Sequence, residues 1–147
     1  IGYLDGLTGN PKDIPLLKHF YMGGSGLSLG TSLRGYDERT VGPTAPSGAT
    51  ALGGKSQMKF GSEIRVQLVN NPTIYGLVFA EAGNTWRSFN QMDPFNLRRS
   101  AGLGLRLYMP LIGLIGLDYG FGYDYYDPAT GLRKGRWLPH FQFGRQF

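Results

Sequence analysis

Few side chains in this sequence are equipped for bond chemistry. The two histidines, His19 and His140, stand far apart in the chain, and there is no cysteine. These 147 residues therefore offer no thiol nucleophile, no thiolate metal site and no disulfide framework. Gly23-Gly24-Ser25-Gly26 has the glycines of a phosphate-cradling loop but lacks the Gly-Lys-Ser/Thr such a loop requires. Glu63 and Glu81 could act as a carboxylate pair of the kind that hydrolyses glycosides, but nothing else in the sequence supports a sugar site. The expectation is a protein that is not an enzyme and uses no cofactor or metal. The charge excess, 15 Lys and Arg against 10 Asp and Glu, is spread along the chain, so a nucleic-acid stripe is not expected either.

The elements that would carry these residues read as β-strands. Ile1 to about Lys18 is loop-like, a short strand is expected near His19 to Met22, and Gly23 to Gly54 is a long loop rich in Gly, Ser, Thr and Pro. The pattern then changes to period two. In Gln57 to Leu68, Met58, Phe60, Ile64, Val66 and Leu68 share one face, and Lys59, Glu63 and Arg65 lie on the other. Asn70-Asn71-Pro72 reads as a turn. Ile74 to Trp86 is a second strand with Glu81 inside an apolar stretch, and Phe89 to Asn96 a polar loop. Leu97 to Met109 alternates Leu103, Leu105 and Leu107 with Gly102, Gly104 and Arg106. Leu111 to Tyr125 sets Leu117, Tyr119, Phe121, Tyr123 and Tyr125 against Asp118, Gly120, Gly122 and Asp124. Asp127 to Gly135 is a hairpin loop. A last strand, Trp137 to Phe147, sets Trp137, Phe141, Phe143 and Phe147 against His140, Gln142 and Gly144.

Such alternation also fits a soluble sandwich or a lipocalin-like barrel. Three features favour a membrane barrel. The strands run to roughly 10 to 15 residues, enough for a tilted crossing. Tyr123, Tyr125 and Trp137 cluster near strand ends, as interfacial girdles do. The polar face combines many of the 24 glycines with charges of both signs, which suits a wet lumen. A membrane-spanning helix is excluded: the longest uncharged apolar run, Leu107 to Leu117, contains Pro110 and falls well short of the about 20 residues required. Five or six strands cannot close a wide barrel, and an open edge in lipid leaves backbone groups unpaired. Further strands are therefore expected.

Several motifs stand in a fixed order: Phe20-Tyr21-Met22-Gly23-Gly24, then Leu33-Arg34-Gly35-Tyr36 running on to Gly42-Pro43, then Gly53-Gly54-Lys55. Phe79 to Trp86 follows with Glu81-Ala82-Gly83-Asn84-Thr85-Trp86, then Arg99-Ser100-Ala101-Gly102-Leu103-Gly104, and finally Phe141 to Phe147. Together they resemble the BamA superfamily of outer-membrane proteins. Two departures are the segment Ser25 to Ser32, which lengthens the approach to Arg34, and Arg145, where many barrel proteins carry an aromatic.

The resemblance implies an all-β, antiparallel transmembrane β-barrel. These residues would form the C-terminal strands of a larger barrel of about 16 strands, with a long loop inserted into its lumen. It implies that Arg34 meets acidic partners on the inner wall, carried over as Glu63 and Glu81, while Gly35 permits close backbone approach and Tyr36 packs against the wall. Arginine can grip a carboxylate with two donors, fixing orientation as well as contributing energy. The last strand, with Phe141, Phe143, Gly144 and Phe147, would meet the first strand of the barrel at a weak seam, where Gly144 loosens pairing. The implied function is insertion of other barrel proteins into a bacterial outer membrane, with a TamA-like or two-partner secretion transporter, or a passive porin-like barrel, as alternatives. The implied partners are outer-membrane lipids, unfolded outer-membrane clients, accessory lipoproteins, the N-terminal strands of the barrel and POTRA domains.

Overall fold

The computed structural model describes residues 1–4, 18–26, 30–43, 52–111, 113–125, 130 and 132–144. They form one antiparallel sheet in sequential order: β1 (Gly2–Tyr3), β2 (Ser56–Asn70), β3 (Thr73–Trp86), β4 (Arg98–Met109), β5 (Gly113–Gly122) and β6 (Arg136–Phe143). The fold is all-β, as the period-two patterns require. A short 3-10 turn, Phe89–Gln91, lies inside the polar loop after β3. Among the described residues the sheet does not close: β1 pairs with Ser56 and Gln57 of β2, and β6 pairs with β5.

Several extents differ from expectation: the last strand ends at Phe143, before Gly144, the strand expected from Leu111 begins at Gly113, and two further differences bear on the loop. No continuous strand forms near His19 to Met22; Phe20, Met22 and Gly24 make isolated bridges to Gly54, Thr31, Val41 and Leu33 instead. The glycines at 23 and 24 turn the chain there, at φ of 131° and 69°, and a regular ladder cannot continue through them. β5 also ends earlier than Tyr125. The Tyr123 N–H still donates to the Arg99 carbonyl, but the Asp124 N–H leaves the ladder for the Tyr36 hydroxyl.

The two faces of the sheet have opposite chemistry. On the outer face Phe60, Ile64, Leu103, Leu117, Tyr119 and Phe143 are each half exposed or more. On the inner face Glu81, Ser100, Arg106, Asp118 and Gln142 are buried. A soluble protein hides its large apolar groups and exposes its charges; here the order is inverted, as in a barrel whose exterior meets lipid. The loop supplies the inner cover. Met22, Leu33, Tyr36 and Val41 pack into a small core with Tyr125 against them. Tyr125 is thus a correction to the girdle expected from sequence. It turns inward, and its hydroxyl donates to Asp37 at 2.7 Å, because β5 has already left the regular ladder when the chain reaches it.

Candidate functional site

Loop residue Arg34 lies on the inner face, 6% exposed. Register places its partners. Glu81 on β3 is opposite Gly61 on β2 and Ser100 on β4, and Asp118 on β5 is opposite Gly104. Glu63 on β2 is opposite Phe79. The Arg34 Nε and Nη2 donate to Glu81 Oε1 at 3.1 and 2.8 Å, and the Arg34 backbone N–H donates to Glu81 Oε2 at 2.9 Å. Nη1 lies 2.8 Å from Glu63 Oε2 and 3.2 Å from Asp118 Oδ2. The guanidinium plane sits over the Phe79 ring, 3.6 Å from its centre. One loop cation therefore joins acids from three strands. A planar fork suits this better than a point charge, because each carboxylate is met from a different direction.

Further cations balance the acids. Arg106 on β4, 1% exposed, donates to both Asp118 oxygens at 2.6 and 2.8 Å. Lys59 Nζ reaches Glu81 Oε1 at 3.3 Å, and Arg65 pairs with Glu63. Burial alone would lower the affinity of Arg34 for its proton, but the Glu81 charge and hydrogen bond, with Asp118 and Glu63 behind them, hold it above the ordinary value. The site is an ionic lock between the loop and the wall.

Small residues make room for the loop. Gly35 adopts φ of 91°, a left-handed conformation open to glycine, and its backbone lies against β5. A Cβ at Gly120 would meet the Gly35 nitrogen at 2.7 Å, and one at Gly102 would meet first the Tyr119 carbonyl oxygen and then the Phe79 ring at 2.6 Å. Any side chain at either place would displace the turn or the ring on which Arg34 stacks.

Beyond Gly35 the loop is tied to the end of β5. The Tyr36 hydroxyl donates to the Arg99 carbonyl at 2.8 Å and accepts the Asp124 N–H at 3.1 Å. Burial pushes this phenol up to about 12, with the Asp124 N–H bond opposing in part. Asp124 in turn takes Arg99 at 3.0 to 3.1 Å through its backbone N–H, Nε and Nη2. Burial would raise the Asp124 carboxyl, but the Arg99 hydrogen bonds and charge outweigh it and hold the group below the ordinary carboxylate range. Within the loop, Glu38 Oε1 accepts from the Ser25 N–H and hydroxyl and from the Gly26 N–H.

The edge strand β6 has two features of its own. The Gly35 N–H donates to His140 Nε2 at 2.7 Å, so the loop turn touches β6 as well as β5. The second is Pro139. The Gly144 N–H donates to the Leu114 carbonyl, which makes that pair and every second pair after it the hydrogen-bonded ones. Trp137, Pro139, Phe141 and Phe143 therefore turn their backbone groups toward the open edge. Proline has no N–H, so the row of donors along that edge is broken at its middle.

Residues 1–147 match the family described as the Omp85 superfamily domain. The chain belongs to the Omp85 superfamily. Omp85 domains are outer-membrane β-barrels, and the superfamily serves protein insertion and transport at that membrane. No curated protein matches the chain. In Omp85 terms the strands described here are barrel wall, and residues 30–43 are a segment folded onto its inner face.

Of the residues that the motif resemblance singled out, Arg34, Glu63 and Glu81 lie together, and Leu33, Gly35 and Tyr36 flank them in buried positions. Phe141 and Phe143 lie on the outer face, half exposed. Gly144 follows the end of β6 at φ of 69°, and Phe147 lies outside the described residues. Sequence reasoning missed Asp118, Arg106, Phe79, His140 and Pro139 as contributors. A usable signal was present for three of them. Alternation had already put Asp118, Arg106 and His140 on the polar face, giving an ionisable residue on the inner side of β4, β5 and β6 in turn.

Proposed function

We propose that this Omp85 chain supplies closing strands of a BamA-type insertase, which helps other barrel proteins fold into the outer membrane. The observation that carries the reading is Pro139, which by register faces away from β5 and leaves a gap in the row of donors that β6 can offer to a further strand. A sheet edge recruits another strand through backbone hydrogen bonds. An edge with a missing donor holds its neighbour less firmly, and a seam that must open for an incoming strand needs that weakness. The Arg34 lock serves a different purpose in this reading, keeping the loop and the wall from β2 to β5 in one arrangement while the edge exchanges partners. The work is conformational, with no bond made or broken in the client, and calls for no nucleotide or metal. Outer-membrane lipids, unfolded client barrels, accessory lipoproteins, the remaining strands and POTRA domains are the partners this function would require.

The test is client folding. Full-length protein reconstituted in liposomes should speed the insertion of an unfolded barrel substrate over protein-free liposomes. A natively folded protein that gives no acceleration would point to a passive barrel. One that passes a partner across the bilayer without inserting it would point to a transporter. Either result overturns the proposal.

A further inference from the structure

Arg34 ties the loop to β2, β3 and β5, and Tyr36 ties it to β4. What ties it to β6, the strand whose outer edge is open, is different in kind. Among the described residues two polar contacts join the loop motif to β6. One is the Arg136–Asp37 pair at 3.4 Å, whose side chains are 51% and 43% exposed. A solvated pair of that kind contributes little. The other is the 2.7 Å hydrogen bond from the Gly35 N–H to His140 Nε2. Gly35 lies in the turn immediately after Arg34, so this bond joins the locked part of the loop to the open strand.

The bond has a strict chemical condition. Imidazole accepts at Nε2 only when that nitrogen holds no proton, which requires the neutral ring with its proton on Nδ1. An imidazolium would set one N–H against another, and the contact would turn from attraction to repulsion. Four charged groups bear on the ring. Asp118 is its register partner on β5, and Arg34, Asp37 and Glu38 come from the loop. A cavity of about 540 Å³ lined by Ser25, Asp37, Glu38, Pro139 and His140 lies beside it at the free edge of the sheet.

We propose that His140 is a positioning residue that couples the Arg34-Gly35 turn to the edge strand: as a neutral Nδ1–H imidazole it holds β6 under the loop, and protonation releases it. The geometry of the coupling stands independently of the insertase reading; only its consequence for client entry at β6 rests on that reading.

The experiment uses the full-length protein in lipid vesicles. Nitrogen-15 NMR of His140 at about pH 8 should show an unprotonated Nε2 and a protonated Nδ1. Amide hydrogen exchange at Gly35, corrected for its intrinsic pH dependence, should accelerate about tenfold or more in His140→Leu. It should remain slow in His140→Gln, whose side-chain oxygen can take the acceptor position. In the native protein the same protection should hold from about pH 8 down to the ordinary imidazole range and fall only below it, and in His140→Gln it should stay flat. A protonated Nε2 at the higher pH, a pH profile shared by the Gln variant, or unchanged protection in a folded His140→Leu protein would overturn the proposal. The NMR measurement needs no variant, so a misfolded substitution leaves the test intact. None of these readouts measures client insertion, so failure here and failure of the insertase reading are separable.

Discussion

Replacing Arg34 should loosen the loop in graded steps. Alanine removes the two donors to Glu81, the contacts to Glu63 and Asp118, and the stack on Phe79. It leaves three carboxylates facing one another with Lys59, Arg65 and Arg106 as the remaining cations. Removing one partner of a buried ionic pair costs about 3–5 kcal/mol, and Arg34→Ala should fall in that range for loop docking. Lysine keeps the charge but reaches one or two carboxylates in place of three and cannot lie flat on the ring, so Arg34→Lys should cost about 1–3 kcal/mol. A double-mutant cycle should rank the acids. Coupling to Glu81 should be about 2 kcal/mol and to Glu63 about 1 kcal/mol, since Glu81 takes two guanidinium donors and Glu63 one. The assay is hydrogen exchange over residues 33–36 in the full-length protein, together with the temperature at which the barrel unfolds in detergent. Unchanged exchange and unchanged unfolding in Arg34→Ala would refute the lock, and zero coupling to both glutamates would refute the assignment of partners.

Three further outcomes follow from the same geometry. Gly120→Ala places a methyl against the Gly35 backbone, so loop protection should fall while the β4–β5 ladder keeps slow exchange; equal protection in both would mean that the turn does not seat there. The Tyr36 phenol is held neutral by burial, so its contribution is complete below about pH 10 and is lost as pH rises through about 12. An alkaline step in loop exchange should therefore be present in the native protein and absent in Tyr36→Phe. Pro139→Val restores a donor on the open edge, which should strengthen strand pairing by about 1 kcal/mol and slow client insertion several-fold; an unchanged or faster rate would remove Pro139 from the account of the seam.

Much of the wall was legible because strand alternation is a local property. Leu103, Leu105, Leu117 and Tyr119 declared their face through spacing alone, and the structure leaves them on the exposed side. Glu63 was legible for the same reason. Leu77 and Phe79 were not: both are apolar yet point inward, because Arg34 needs a flat ring beneath it and the loop brings its own apolar residues to that face. Asp118 and Arg106 could be placed on the inner side but not paired, since their meeting with Arg34 depends on a fold-back of the loop that no periodicity encodes. Tyr125 was misjudged because alternation was extended beyond the point where the Asp124 N–H turns to Tyr36. The meaning of Pro139 needed the ladder register, which fixes the side of β6 that lacks a donor.

The most direct test of the central claim, an apolar face toward lipid and an ionic face under the loop, is a nitroxide scan of β6 in the full-length protein in bilayers. Residues 1–147 contain no cysteine, so each label site on β6 is introduced singly in this part of the protein. Labels at positions 137, 139, 141 and 143 should be accessible to oxygen dissolved in the lipid, and labels at 138, 140 and 142 should be shielded from it, alternating at every step. The opposite phase, with the even positions facing lipid, or accessibility that does not alternate, would contradict it.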